Sequence, residues 1–166
     1  MPVSEQGVNL DQYLFVPRTL IFLTSKDRVL LLKGADNKRL WAGLYNGVGG
    51  HIEQGEDVLR AAKRELFEET GLITPDLWLC GVVTVDTQTN PGVAIFIFKG
   101  ECVECEPVLS TEGTLEWVES SKIKSIPLVA DLPVLIPKIL NMKPGDPLLS
   151  AHSHYNHLGD IIITFG

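Results

Sequence analysis

Residues 46–72 read NGVGGHIEQGEDVLRAAKRELFEETGL. Val58, Leu59, Ala62 and Leu66 recur at helical spacing, which predicts a helix over 57–70, with Gly71 as its C-terminal stop and Pro75 preventing continuation. The helix carries Glu65, Glu68 and Glu69 in its last turns. With Glu65 as the zero of angle, Glu69 falls near about 40° and Glu68 near about −60°, flanking the apolar side that holds Leu59, Ala62 and Leu66. Arg60, Lys63 and Arg64 fall on the opposite, solvated side. Like charges at i,i+3 and i,i+4 repel by about 0.2–0.5 kcal/mol a pair, and a carboxylate near a helix C-terminus also opposes the helix dipole. Local preference does not explain this placement, but a hard divalent cation would turn the repulsion into chelation. The alternative is a solvated acidic face with Arg64 bridging to Glu68.

Working outward, residues 34–51 contain five glycines and little periodicity, so they read as a long structured loop, a common seat of function. Before it, residues 16–24 and 28–33 are branched, apolar runs around Ser25-Lys26-Asp27 and predict a hairpin. After the helix, residues 79–88 and 93–99 predict two strands joined by the turn Thr89-Asn90-Pro91-Gly92. Residues 115–118 read as a short strand, 129–141 as a helix interrupted by prolines, and the tail as a hairpin turning at 158–160. This mixture predicts an α/β fold with a mixed sheet and packed helices.

With 166 residues, 45% of them apolar, the chain forms one domain over 1–166, with a core of about 15–141 and a hairpin-like extension of about 148–166. Its 14 basic and 21 acidic residues give a formal charge of −7 without a basic stripe. Binding to long nucleic acid is therefore not expected, whereas a small anion held through metal ions is compatible. No run approaches the roughly 18 apolar residues that cross a bilayer, and the N-terminus lacks leader features, so a cytoplasmic location is expected. A homodimer remains compatible. Cys80, Cys102 and Cys105 do not form a disulfide framework. Cys102-Val-Glu-Cys105 has the spacing of half a zinc site, but lacks the other half and reads as two thiols near a strand end. His152, His154 and His157 read as a solvated strand and turn.

Taken as a pattern, Gly50, Glu56, Arg64-Glu65, apolar Leu66, Glu68-Glu69, Gly71 and apolar Leu72 resemble the Nudix box, with no departure at any specified position. The resemblance implies a Nudix α/β/α sandwich that cleaves a nucleoside diphosphate-X by metal-assisted attack of water. It implies Mg2+, with Mn2+ as a substitute, on Glu65, Glu68 and Glu69, and Gly50 adding a backbone carbonyl. Arg64 would orient a glutamate, and Glu56 would brace the loop. For the base, Glu112 sits where family members place an acidic residue facing the box helix; Glu65 is the other candidate and Glu116 a competitor.

Leu44-Tyr45-Asn46-Gly47-Val48-Gly49-Gly50 also resembles the branch that hydrolyses oxidised purine nucleoside triphosphates. There an asparagine reads the base edge, since an amide both donates and accepts. Val129-Ala130-Asp131-Leu132-Pro133 resembles a second base-reading position, so Asp131 is either that contact or a helix cap. Trp41, Tyr45 and Trp117 are candidates for stacking on the base, or for core. The branch implies an 8-oxo-dGTP diphosphatase releasing a monophosphate and pyrophosphate. The alternatives are an ADP-ribose or nucleotide-sugar pyrophosphatase and a nucleotide-sensing Nudix domain without turnover.

Overall fold

In the computed structural model, which describes residues 6–7, 9–36, 41–73, 76–102 and 112–166, the apolar run over Phe15–Ser25 forms the central strand β1. Its side chains alternate between two cores. Leu20 and Phe22 join one cluster with Val29, Leu31, Leu132 and Ile136. Ile21 and Leu23 join another with Leu30, Ala62, Leu66 and Phe98. Over that stretch the strand is covered on both faces and has no solvated side, which is why Leu20 to Leu23 read as an unbroken apolar run.

The expected hairpin forms between β1 and β2 (Arg28–Gly34), but their paired residues are Thr24 with Val29 and Ser25 with Arg28. Beyond that point the two strands diverge, and the glycine-rich segment fills the gap. Its short strand β3 (Tyr45–Asn46) pairs with β2, while Val48 and His51 bridge to Ile21 and Arg18 of β1. The expected loop over 34–51 is therefore partly a wedge of sheet.

The helix α1 (Val58–Thr70) starts at Asp57, whose Oδ1 accepts from the Leu59 and Arg60 amides, and ends at Gly71 in the left-handed region. Pro75 lies outside the described residues. β4 (Trp78–Val85) and β5 (Gly92–Glu101) pair antiparallel, and β5 runs parallel to β1 over its whole length. β6 (Gly113–Glu119) pairs with β2 from Arg28 to Gly34.

The second helix, α2 (Leu132–Asn141), carries Pro133 in its first turn, where a missing N–H costs nothing, and Pro137 in its interior. The expected interruption is absent: the helix continues through Pro137. Burial of Leu132, Leu135, Ile136 and Ile139 supplies what the lost hydrogen bond does not. The tail forms β7 (Leu149–Tyr155) and β8 (Ile161–Phe165), the expected hairpin. It is no appendage, because β7 pairs parallel with β4 and the sheet runs β3-β2-β1-β5-β4-β7-β8. The result is an α/β/α sandwich, with α1 and α2 on opposite faces of a mixed sheet.

Candidate active site

The box helix meets the wedge segment at two glycines. Gly49 has φ +150°, and a Cβ there would strike the Thr19 carbonyl oxygen; one on Gly50 would stand 2.5 Å from Glu65 Oε1. Only glycine lets this backbone lie between β1 and the carboxylate. The Gly49 amide donates to Glu69 Oε2 at 3.1 Å. The Gly50 carbonyl accepts the Thr19 amide at 2.8 Å, which leaves one lone pair for another partner.

Arg64 corrects the expectation from the helical wheel that it lies on the solvated side. Its guanidinium turns back along the helix and donates to Glu56 at 2.6 and 3.1 Å, to Glu65 Oε1 at 2.8 Å, to Glu68 Oε2 at 3.2 Å and to the His51 carbonyl at 3.0 Å. Glu56 also accepts the Glu53 amide at 2.8 Å, so it ties the loop to the helix. The Arg64 hydrogen bonds, followed by that amide, hold the Glu56 carboxyl below its ordinary range.

A cleft of about 660 Å³ opens beside this knot, lined by Glu53, Glu65, Glu69, Glu112, Gly50 and His51 among others. Glu68, expected in the same cluster, is 57% exposed and is not among the residues that line the cleft. As placed, no three His, Cys, Asp or Glu among the described residues form a ready-made metal cage, because Glu65 and Glu68 face Arg64 and Glu69 faces Gly49. The donor set nevertheless fits a hard divalent cation: carboxylates with spare lone pairs gathered at one cleft, and a glycine cradle that keeps Cβ away from them. Glu112 lines the same cleft, whereas Glu116 accepts the Tyr45 hydroxyl at 2.7 Å.

A second pocket of about 390 Å³ adjoins the first and shares Arg18, Trp41, Asn46, Gly49 and Gly50 with it. Asn46 and Asp131 both line this pocket. Backbone bonds bring them together, since Tyr45 N–H donates to the Pro127 carbonyl and Val129 N–H to the Tyr45 carbonyl, at 2.8 and 3.0 Å. The Asn46 Oδ1 accepts the Gly47 amide at 2.8 Å, which leaves the two N–H groups of its amide for other partners. Asp131 occupies the N-cap position of α2 without a side-chain capping bond, and burial pushes its carboxyl above the usual range.

Tyr45, expected as a substrate contact, lines neither cleft. It is 8% exposed within the core, because neighbours on a strand point to opposite faces; the Glu116 hydrogen bond raises its phenol pKa. Trp117 packs against the other core, and Trp41 stays at the site, 43% exposed. Reading the sequence missed Arg18, Glu53 and the wall supplied by Asp86, Ser153, Tyr155 and Ile161. An arginine within an apolar strand was the available signal for Arg18.

His152 and His154 stack at 5.5 Å on β7, and His152 Nδ1 lies 3.1 Å from the Thr84 hydroxyl. Cys80 is buried, which pushes its thiol up to about 12. Cys105 lies outside the described residues. Among the described residues no helix is long and apolar enough to cross a membrane.

A NUDIX domain model matches residues 14–138. The chain belongs to the Nudix family. Nudix hydrolases act on small nucleotide substrates and generally use divalent metal ions. The chain is 32% identical over 126 residues to the oxidized purine nucleoside triphosphate hydrolase of Danio rerio, a match covering 75% of this chain and 80% of that protein. The Mus musculus protein of the same name matches with the same identity and coverage. Among solved Nudix structures, a MutT protein from Bacillus halodurans superposes with a TM-score of 0.76 at 27% identity, covering 91% of this chain and 97% of that one. The NUDIX domain of Shewanella oneidensis NrtR, complexed with ADP ribose, shares the fold with a TM-score of 0.64 at 17% identity, covering 84% and 97%.

Proposed function

We propose that this Nudix hydrolase is a magnesium-dependent pyrophosphohydrolase of nucleoside triphosphates, with oxidised purines such as 8-oxo-dGTP preferred, releasing a nucleoside monophosphate and pyrophosphate. The observation that carries the reading is that Asn46 and Asp131, far apart in sequence, line one pocket that opens into the carboxylate cleft. The names of the zebrafish and mouse relatives support the same branch.

In this reading the base occupies the Asn46 pocket and the phosphates the cleft. Asn46 donates through its free amide nitrogen. Asp131, whose carboxyl burial pushes above its ordinary range, meets another part of the ring edge. Glu65, Glu68, Glu69 and the Gly50 carbonyl would hold the cation, which would supply neutralisation of phosphate charge and a more acidic attacking water. Arg64 keeps the glutamates in position. Glu112 takes the proton from the water, with Glu65 as the other candidate.

A panel of 8-oxo-dGTP, dGTP, ADP-ribose and a nucleotide sugar, assayed with magnesium and product identification, tests this. Faster release of pyrophosphate from 8-oxo-dGTP supports it; preference for ADP-ribose or the sugar replaces the substrate, and no turnover on any of them favours a sensor. Asn46→Ala should shift preference among bases more than it slows a poor substrate. An equal loss on all would give Asn46 a structural role.

A further inference from the structure

Arg18 lies on β1 with backbone neighbours on both sides, Ile95 of β5 and His51 of the wedge, so its position is fixed by the sheet. Its side chain lines both the base pocket and the carboxylate cleft. It makes no hydrogen bond or ion pair with any described residue, and its Nε is buried without a partner. A guanidinium does not shed its proton, so this half-buried cation lacks the anion that would offset its desolvation. Of the carboxylates that line the two clefts with it, Glu65 is engaged by Arg64 at 2.8 Å and Asp86 by the Gln88 amide at 2.7 Å, and among the described residues none bonds the Arg18 guanidinium.

We propose that Arg18 anchors the phosphate attached directly to the nucleoside, its guanidinium donating to the non-bridging oxygens at the junction of the two clefts. This rests on the reading that one cleft takes the base and the other the phosphates. The junction is where a nucleotide passes from ring and sugar to phosphate, and a planar fork suits two oxygens on one phosphorus. The cleft beyond it is rich in glutamate, so a cation at its entrance offsets the repulsion that the incoming phosphates meet.

The test is calorimetric binding of a purine nucleoside and of the four common nucleoside 5′-monophosphates in magnesium buffer, where a monophosphate has no anhydride bond to lose. Arg18→Ala should weaken monophosphate binding by about 10- to 100-fold, by a similar factor for each base, and leave nucleoside binding almost unchanged. Arg18→Lys should restore part of the loss, and the thermal midpoint of Arg18→Ala should not fall. Unchanged monophosphate binding overturns the proposal, as does an equal loss on nucleoside and monophosphate, which would make Arg18 a base contact. If the wild-type protein binds all four monophosphates alike yet Arg18→Ala weakens them, base reading fails and the anchor stands. If it binds none of the ligands, both fail.

Discussion

Glu69 sits at the end of α1 where the helix dipole opposes its charge, and its Oε2 accepts the Gly49 amide. Glu69→Gln keeps that acceptor and removes the charge. Turnover with magnesium should fall at least about a hundredfold while stability drops modestly; unchanged turnover would remove Glu69 from the ligand set. Asp131 makes a prediction in pH. Burial raises its folded-state pKa above 3.8, so the folded protein holds more protons in that window and stability falls as pH rises through it. Asp131→Asn should therefore raise the thermal midpoint at pH 7, with the gain shrinking as pH approaches 3.8; a gain that grows toward acid pH contradicts this sign. At this scale helical arithmetic put Glu65 and Glu69 on the side that lines the cleft, whereas Glu68, expected with them, is exposed and outside its lining. The resemblance to the box set Arg64 against a glutamate, as the structure has it, but the helical wheel did not place its guanidinium, because a wheel gives the direction of Cα–Cβ and not where a long side chain ends. Nor did the sequence separate Tyr45 from Asn46, since a strand of two residues carries too little alternation to be seen.

Elements were legible where period and punctuation agreed. The box helix has both, with Asp57 accepting two amides at its start and Gly71 left-handed at its end. Asp57→Ala should cost about 0.5–2 kcal/mol, measured by urea denaturation, because it strands the Leu59 and Arg60 amides. An unchanged denaturation midpoint would mean the cap is replaced by solvent at no cost. Elements were illegible where pairing depends on a distant partner. β3 exists only because β1 and β2 splay beyond Thr24 and Val29, opening a gap that residues 45–51 fill. The continuation of α2 through Pro137 likewise depends on a core that no local pattern discloses.

Across the whole molecule, the two clefts meet at the wedge: the approach to α2 and the C-terminal hairpin wall the pocket that holds Asn46, while α1 and Glu112 line the carboxylate cleft. The order of strand-like and helix-like runs disclosed the layers, and the burial of β1 between two cores shows why they form. That order left the hairpin as an extension, since parallel pairing of β7 with β4 joins residues about seventy positions apart and has no local signature. That pairing has a functional consequence, because Ser153, Tyr155 and Ile161 wall the pocket that holds Asn46 and Asp131. Removing residues 148–166 would expose the edge of β4 from Gly81 to Val85 and uncover the core contacts of Ala151 and Ile163. The shortened protein should unfold at a lower temperature, and its remaining hydrolysis should discriminate less between 8-oxo-dGTP and dGTP, because the carboxylate cleft survives while one wall of the base pocket is gone. The comparison needs melting temperatures together with kcat/KM on both triphosphates. If the truncated chain keeps its midpoint and its preference, the hairpin contributes neither to the sheet's stability nor to the pocket; if it loses stability alone, the hairpin is structural and the base is read without it.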